Sequence, residues 1–167
     1  LILPGVGAAA DTMRNLQERG LVEPVREYIA AGRPFLGVCM GLQALMTVSE
    51  EGGEHACLGV IAGRVVRLPA GQKVPHMGWN AVVPERESHI LCGIPDGSHF
   101  YFLHSYHCVL DDPSLVLARA DYGTRVAAII ERDNVVATQF HPEKSGANGL
   151  RLYRNFLTRA LAAGPAG

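Results

Sequence analysis

The segment at residues 35–45, FLGVCMGLQAL, restricts the fold of this chain more than any other stretch. An apolar run leads into Cys39, which stands between Gly37 and Gly41 and is followed by Leu42, Gln43, Ala44 and Leu45. Unbroken apolar character marks a strand covered on both faces, and Leu, Gln and Ala are good helix formers. A strand therefore has to turn into a helix within a very few residues, and glycine tolerates so tight a turn. Cysteine packs well there as a small buried hydrophobe. It is also the nucleophile expected if this turn is the thiol counterpart of the G-x-S-x-G elbow. The segment alone leaves both readings open.

The flanking sequence extends the pattern. Leu1-Ile2-Leu3 reads as a short buried strand ending in the turn Pro4-Gly5-Val6-Gly7. Asp11 is placed to cap a helix through Met13 and Leu16 that stops at Gly20. Pro24 suits the first turn of a second helix, with Val25, Tyr28 and Ile29 on one face and Gly32 at its end. A strand over 35–39 and a helix over 41–48 follow. Alternating strands and helices predict an α/β fold with a parallel sheet covered by helices. Beyond residue 60, segments 64–68, 80–83, 100–104, 115–119 and 126–130 read as short strands between turn clusters. Asp133-Asn134 then turns the chain into a strand over 135–140, completing a hairpin. After Pro142, Ser145 or Asn148 caps a final helix with an apolar stripe of Leu150, Tyr153, Leu157 and Leu161, widened by Leu152 and Phe156. Only 162–167 reads as frayed. The fold class is α/β with an open mixed sheet.

Composition narrows the function. At 167 residues and 48% hydrophobic content, the chain is long enough for one domain, 1–167, with a full core. Fifteen basic and sixteen acidic residues nearly cancel, so no strong field draws nucleic acid or an anionic membrane. The apolar run at 35–48 is too short to span a bilayer. Leu1-Ile2-Leu3 lacks the basic leader of a signal peptide, and Pro4 and Gly5 interrupt it. Cys39, Cys57, Cys92 and Cys108 form no C-x-x-C pair, which fits neither a zinc knuckle nor a disulfide scaffold and makes a reducing cytoplasm the expected setting. His104 and His107, three apart in an apparent strand, point to opposite faces. No metal site and no cofactor are expected.

A nucleophile needs a base and an oxyanion site. The base is expected in Gln139-Phe140-His141-Pro142-Glu143, just past the last strand, at the edge where open α/β sheets place ligands. Glu143, turning back around Pro142, would hold one nitrogen of His141 while the other faces the thiol, giving nucleophile, base and orienter. A helix N-terminus and a nearby imidazolium would lower the thiol pKa below its free value of about 8.5. Met40 N–H would point at the developing oxyanion, with a second donor from the Pro4–Gly7 loop, at Val6 or Gly7.

Together these segments resemble the class I, triad-type glutamine amidotransferases, whose fold is flavodoxin-like. PGVG looks like that family's oxyanion loop, GVCMGLQ its nucleophile elbow and QFHPE its histidine–glutamate motif. The resemblance implies that Cys39 is the nucleophile, His141 the general base and acid, and Glu143 the orienting carboxylate. It further implies substrate contacts from Gly5, Gln43 and the Ser105-Tyr106 backbone.

The segment VPHMGWN, Val74 to Asn80, resembles the glutaminase subunits of imidazole glycerol phosphate synthases, as do LHSY and the run 139–155. In that family this face meets a cyclase, a (β/α)8 barrel, so Met77, Trp79 and Lys144 are expected at a partner interface. The implied reaction is hydrolysis of glutamine to glutamate, with ammonia passed to the cyclase in histidine biosynthesis. Ala9 stands where an aromatic residue is usual and Met40 where Leu is commoner. The family also begins with a strand–helix–strand unit ahead of the strand that opens this chain, so the sequence resembles a member truncated at its N-terminus. A glutaminase of another synthase, a non-catalytic subunit and a cysteine peptidase are the rival readings. VPHMGWN opposes the first, and the intact triad opposes the second.

Overall fold

The computed structural model describes residues 1–162; of the tail read from the sequence as frayed, 162–167, Ala162 is still helical and 163–167 lie outside the described residues. The elements run in the order β1 (Ile2–Gly5), α1 (Ala9–Glu18), α2 (Val22–Ala30), β2 (Phe35–Cys39), α3 (Met40–Gln43), β3 (Val48–Ser49), β4 (His55–Ala56), β5 (Gly63–Arg67), β6 (His76–Ala81), β7 (Val83–Pro84), β8 (His99–His104), β9 (Tyr106–Leu110), β10 (Val116–Asp121), β11 (Arg125–Arg132), β12 (Val135–Thr138) and α4 (Gly146–Ala162).

Six strands form the main sheet in the order β1-β2-β12-β11-β10-β7. The β1-β2 and β2-β12 ladders are parallel, whereas β12-β11, β11-β10 and β10-β7 are antiparallel. The sheet is mixed and flanked by helices, as expected, but its parallel part is confined to β1, β2 and β12. β2 is buried along its whole length because both faces are covered. Phe35 packs with Met13, Leu16, Val25 and Ile29 of α1 and α2, while Leu36 and Val38 pack on the other face with Leu152 and Phe156 of α4. Asp133 and Asn134 form the expected tight turn, with Arg132 paired to Val135. A second sheet, β4-β3-β5-β9, and the β6-β8 pair complete the structure.

Several local expectations are corrected by long-range contacts. Asp11 does not cap α1; the helix begins at Ala9, whose N–H donates to Glu51 Oε2 at 2.8 Å, and Asp11 lies within its first turn. The helix expected over 41–48 ends at Gln43. The Ala44, Leu45 and Met46 carbonyls accept from Leu58, Val60, Ile61 and Gly59 instead of continuing the helix. Strand β6 starts four residues ahead of the expected 80–83 because it pairs along its full length with β8. His104 and His107 belong to different strands, β8 and β9, and both are buried.

The face of α4 is the largest departure. Leu150, Leu157 and Leu161 are exposed, and Gly149, Leu152, Asn155 and Phe156 are buried. Asn155 Nδ2 donates to the Ile90 and Cys92 carbonyls at 3.0 and 2.8 Å, and Gly149 lies directly against the Pro142 carbonyl, where a side chain has no room. These two demands set the rotation of the helix ahead of its apolar stripe. Ser145 precedes α4, and its hydroxyl accepts from Tyr101 N–H and donates to the His141 carbonyl.

Candidate active site

β1, β2 and β12 run parallel and end side by side at Gly5, Cys39 and Thr138. Their carboxyl edge is therefore where a site belongs in such a sheet. Cys39 leaves β2 with φ 53° and ψ −101°, a left-handed conformation that costs a non-glycine residue about 1–3 kcal/mol. The turn is possible only because its neighbours lack side chains. A Cβ on Gly37 would stand 2.7 Å from the Gly41 carbonyl oxygen, and one on Gly41 would run into the Leu3 carbonyl.

Gln139 and Cys39 leave adjacent strands together, and Gln139 Nε2 approaches Cys39 Sγ at 3.7 Å. His141 follows two residues later, with its backbone N–H on the Tyr101 carbonyl at 2.9 Å. Pro142 then opens a short 3-10 turn that brings Glu143 back, so that His141 Nδ1 meets Glu143 Oε1 at 2.8 Å. Among the described residues, His141 Nε2 is buried and has no hydrogen-bond partner. The carboxylate holds the proton on Nδ1, which leaves Nε2 with its lone pair free, the state a general base requires. Glu143 also accepts from Tyr153 OH at 3.4 Å.

The thiol departs from expectation. Burial pushes Cys39 up to about 11; the Met40 N–H and the Gln139 amide pull it down, while the Glu143 and Glu51 carboxylates push it further up. The helix that was to stabilise a thiolate is a single turn of four residues. Cys39 therefore rests as a thiol and loses its proton only when a base takes it.

Beside Cys39 lies a cavity of about 270 Å³ lined by Val6, Gly7, Met40, Gln43, Glu51, Pro75 and the segment from Leu103 to Tyr106. It is at the small end of ligand sites, a size for one amino acid rather than a peptide. Gln43 Nε2 donates to the Tyr106 carbonyl at 3.0 Å and to Gln139 Oε1 at 3.2 Å, which leaves Gln43 Oε1 as an acceptor. Gly7 has φ 112°, which gives the loop peptide its freedom, and Val6 is exposed. Gly5 is not a lining residue. It pairs in register with Cys39 and packs against Met40, whose Cβ a side chain there would meet at 2.9 Å.

Met77 and Trp79 are 62% and 56% exposed, which excludes an internal role for the indole. Trp79 stacks edge-on with Tyr101 of the paired strand at 6.2 Å, and Lys144 Nζ lies 5.7 Å from the same Tyr101 ring. The three residues thus share one exposed face.

Residues 1–160 match the family described as Glutamine amidotransferase class-I. The chain belongs to that family. It is 51% identical over 156 residues to the imidazole glycerol phosphate synthase subunit HisH of Desulfitobacterium hafniense, covering 93% of this chain and 74% of that protein. It is 52% identical over 160 residues to HisH of Aquifex aeolicus, covering 96% and 77%. Identity to HisH of Moorella thermoacetica is 50%, over the whole of this chain and 80% of that protein. Among solved structures, a glutamine amidotransferase 26% identical matches 96% of this chain and 78% of its own with a TM-score of 0.68. PurLQS from Thermotoga maritima, 18% identical, shares the fold, with a TM-score of 0.70 over 95% of this chain and 78% of its own.

For an amidotransferase, two features around Cys39 escaped the sequence. Glu51, in the polar run Glu50-Glu51-Gly52, looks like any solvated turn until the fold places it on the wall of the cavity that Cys39 also lines. Gln139 was visible within its motif, but its contact with the thiol follows only from the register of β12 on β2. Among the described residues, no helix is long and apolar enough to cross a membrane, and no group of three or more His, Cys, Asp or Glu side chains is gathered to hold a metal.

Proposed function

We propose that this chain is the glutaminase subunit of an imidazole glycerol phosphate synthase and releases ammonia from glutamine for a cyclase partner. The observation that carries the proposal is 50% identity with a protein named as a HisH subunit of that synthase, over an alignment that takes in the whole chain.

Glutamine enters the cavity with its carboxamide carbon against Cys39 Sγ. As sulfur attacks, its proton passes to His141 Nε2, and Glu143 stabilises the imidazolium. Met40 N–H and an N–H of Val6 or Gly7 receive the oxyanion. His141 returns the proton to the departing nitrogen, ammonia leaves, and a thioester remains on Cys39. Water, deprotonated by the same imidazole, cleaves the thioester to glutamate and restores the thiol. The Glu51 carboxylate pairs with the substrate ammonium, and Gln43 and the Ser105-Tyr106 backbone hold the head group. Gly5 leads the oxyanion loop into the cavity.

The cyclase, a (β/α)8 barrel, docks on the face of Met77, Trp79 and Lys144 and closes the imidazole ring with the ammonia. The cytoplasm is the proposed compartment, consistent with four free cysteines.

The test is glutamate release from glutamine, with and without the cyclase and its nucleotide ligand, together with acid trapping of the thioester. The expected result is negligible turnover alone, strong activation by the loaded partner, and a glutamyl adduct on Cys39. Turnover that survives Cys39→Ala, or no glutamate release under any condition, would overturn the proposal.

A further inference from the structure

His76 and His104 are buried, yet neither takes part in the chemistry above. Their hydrogen bonds form one chain with a single consistent polarity. His104 Nδ1 lies 2.8 Å from the Tyr106 carbonyl oxygen, which can only accept, so Nδ1 carries the proton. His104 Nε2 is then an acceptor, and His76 Nδ1, 3.0 Å away, donates to it. His76 Nε2 accepts from Asn80 Nδ2 at 3.4 Å, and the same amide donates to the Asp121 carbonyl at 2.9 Å. Burial lowers His76 to about 4 and His104 to about 3, which keeps both rings neutral, as this polarity requires.

The chain ends on a carbonyl that matters. Tyr106 O accepts from His104 Nδ1 and from Gln43 Nε2, so both its lone pairs are used. Tyr106 is the last residue of the Leu103–Tyr106 lining of the cavity, its carbonyl belonging to the peptide that leaves the lining toward His107, and Leu103 O lies 3.8 Å from Cys39 Sγ. Gln43 in turn reaches Gln139, and Gln139 reaches the thiol. Two apolar rings would fill the space under β6 without the cost of burying polar nitrogens. What the imidazoles add is direction, fixing one peptide plane at the edge of the site.

We propose that His76 and His104 are positioning residues for the glutamine cavity, acting through the Tyr106 carbonyl to hold the Ser105-Tyr106 segment in its binding geometry. This rests on the functional reading above and extends it to two imidazoles that act through a backbone carbonyl and not on the reacting atoms.

Two substitutions separate positioning from packing. His76 is stacked between Tyr122 at 3.8 Å and Phe102 at 4.8 Å, so His76→Phe keeps the ring and removes the donor, whereas His76→Asn keeps a donor near Nδ1 and removes the ring. In complex with the cyclase, His76→Phe should raise the glutamine KM about tenfold, the value of one hydrogen bond, with a smaller change in kcat. His76→Asn should recover most of that loss. The opposite ranking, with Phe harmless and Asn damaging, would make the pair mere packing and overturn the proposal. Nitrogen-15 NMR of the imidazoles in the free chain gives a second readout. Both rings are expected as the neutral Nδ1–H tautomer at pH 7, and an Nε2–H tautomer for His104 would refute the relay. Wild-type chain that releases no glutamate would end the functional reading, while the tautomers would still decide the relay.

Discussion

His141 and Glu143 meet at 2.8 Å between Nδ1 and Oε1, and this contact leaves Nε2 as the free nitrogen of the ring. Glu143→Gln keeps the shape of the side chain but can present an amide N–H to Nδ1. The imidazole would then carry its proton on Nε2, the wrong tautomer for a base. The expected loss is about 10²–10⁴ in kcat for glutamine hydrolysis with little change in KM. Ammonia-dependent ring closure by the proposed cyclase partner should persist in the same complex. Equal loss of both activities would contradict this division of labour.

Cys39 rests as a thiol because burial outweighs the Met40 N–H and Gln139 amide beside it. In a Cys92→Ser background, which removes the exposed thiol, the iodoacetamide rate at Cys39 should climb with pH without levelling off until about pH 11. Each pH unit should raise it about tenfold, following the thiolate fraction. A plateau near neutrality would mean that a thiolate is preformed.

The elbow glycines are expected to be unequal to ordinary turn glycines. Gly41→Ala drives a methyl group into the Leu3 carbonyl, whereas Gly71, at φ 92°, has open space around its Cβ position. Gly41→Ala should destabilise the fold by about 3 kcal/mol or more, and Gly71→Ala by about 1–2 kcal/mol of backbone strain. Urea unfolding midpoints measure both, and similar values would refute the close-approach account.

Acid should weaken the fold through its buried imidazoles. His76 and His104 are lowered from 6.5 to about 4 and about 3, chiefly by burial, and His107 is lowered by the same cause. Below pH 6.5 the unfolded chain takes up protons that the native state refuses, so stability falls as pH drops toward these folded values. Each such proton is worth about 1.4 kcal/mol per pH unit at most. Glu131 adds to the loss at lower pH. Burial raises its pKa, but hydrogen bonds from Arg86, Ser88 and Arg159 outweigh it and hold the carboxyl below its usual range. Denaturant titrations at pH 7 and pH 5 should differ in wild type and differ less in His76→Phe. An unchanged difference would place the titration elsewhere.

Trp79 and Met77 are exposed, with Tyr101 and Lys144 beside the indole, on the face proposed for the partner. Trp79→Ala should weaken binding of the proposed cyclase partner by about 2 kcal/mol while leaving the melting temperature of the free chain nearly unchanged. Unaltered affinity by calorimetric titration would remove Trp79 from the interface.

The parts of the site carried by short spacings were legible in one dimension. A cysteine between two glycines after an apolar run already implies an elbow, because only glycine relieves the crowding that the turn creates. His141 and Glu143 sit two residues apart around a proline, and that separation lets the carboxylate reach Nδ1. The tight turn at Asp133-Asn134 was equally local.

Other features depended on groups distant in sequence. Asp11 was a sound cap by local rules, but Glu51 arrives from 42 residues away to take the Ala9 N–H. The apolar stripe of α4 lost to Asn155 and Gly149, whose partners lie on other segments. The ionisation of Cys39 reversed its expected direction because desolvation belongs to the assembled interior and not to any motif. The His76–His104 pair joins β6 and β8, and its polarity comes from a carbonyl on β9. Residue type and near spacing were thus enough to nominate the side chains proposed for the chemistry. Their protonation and orientation came from the packed fold, because burial and partner geometry exist only once distant segments come together.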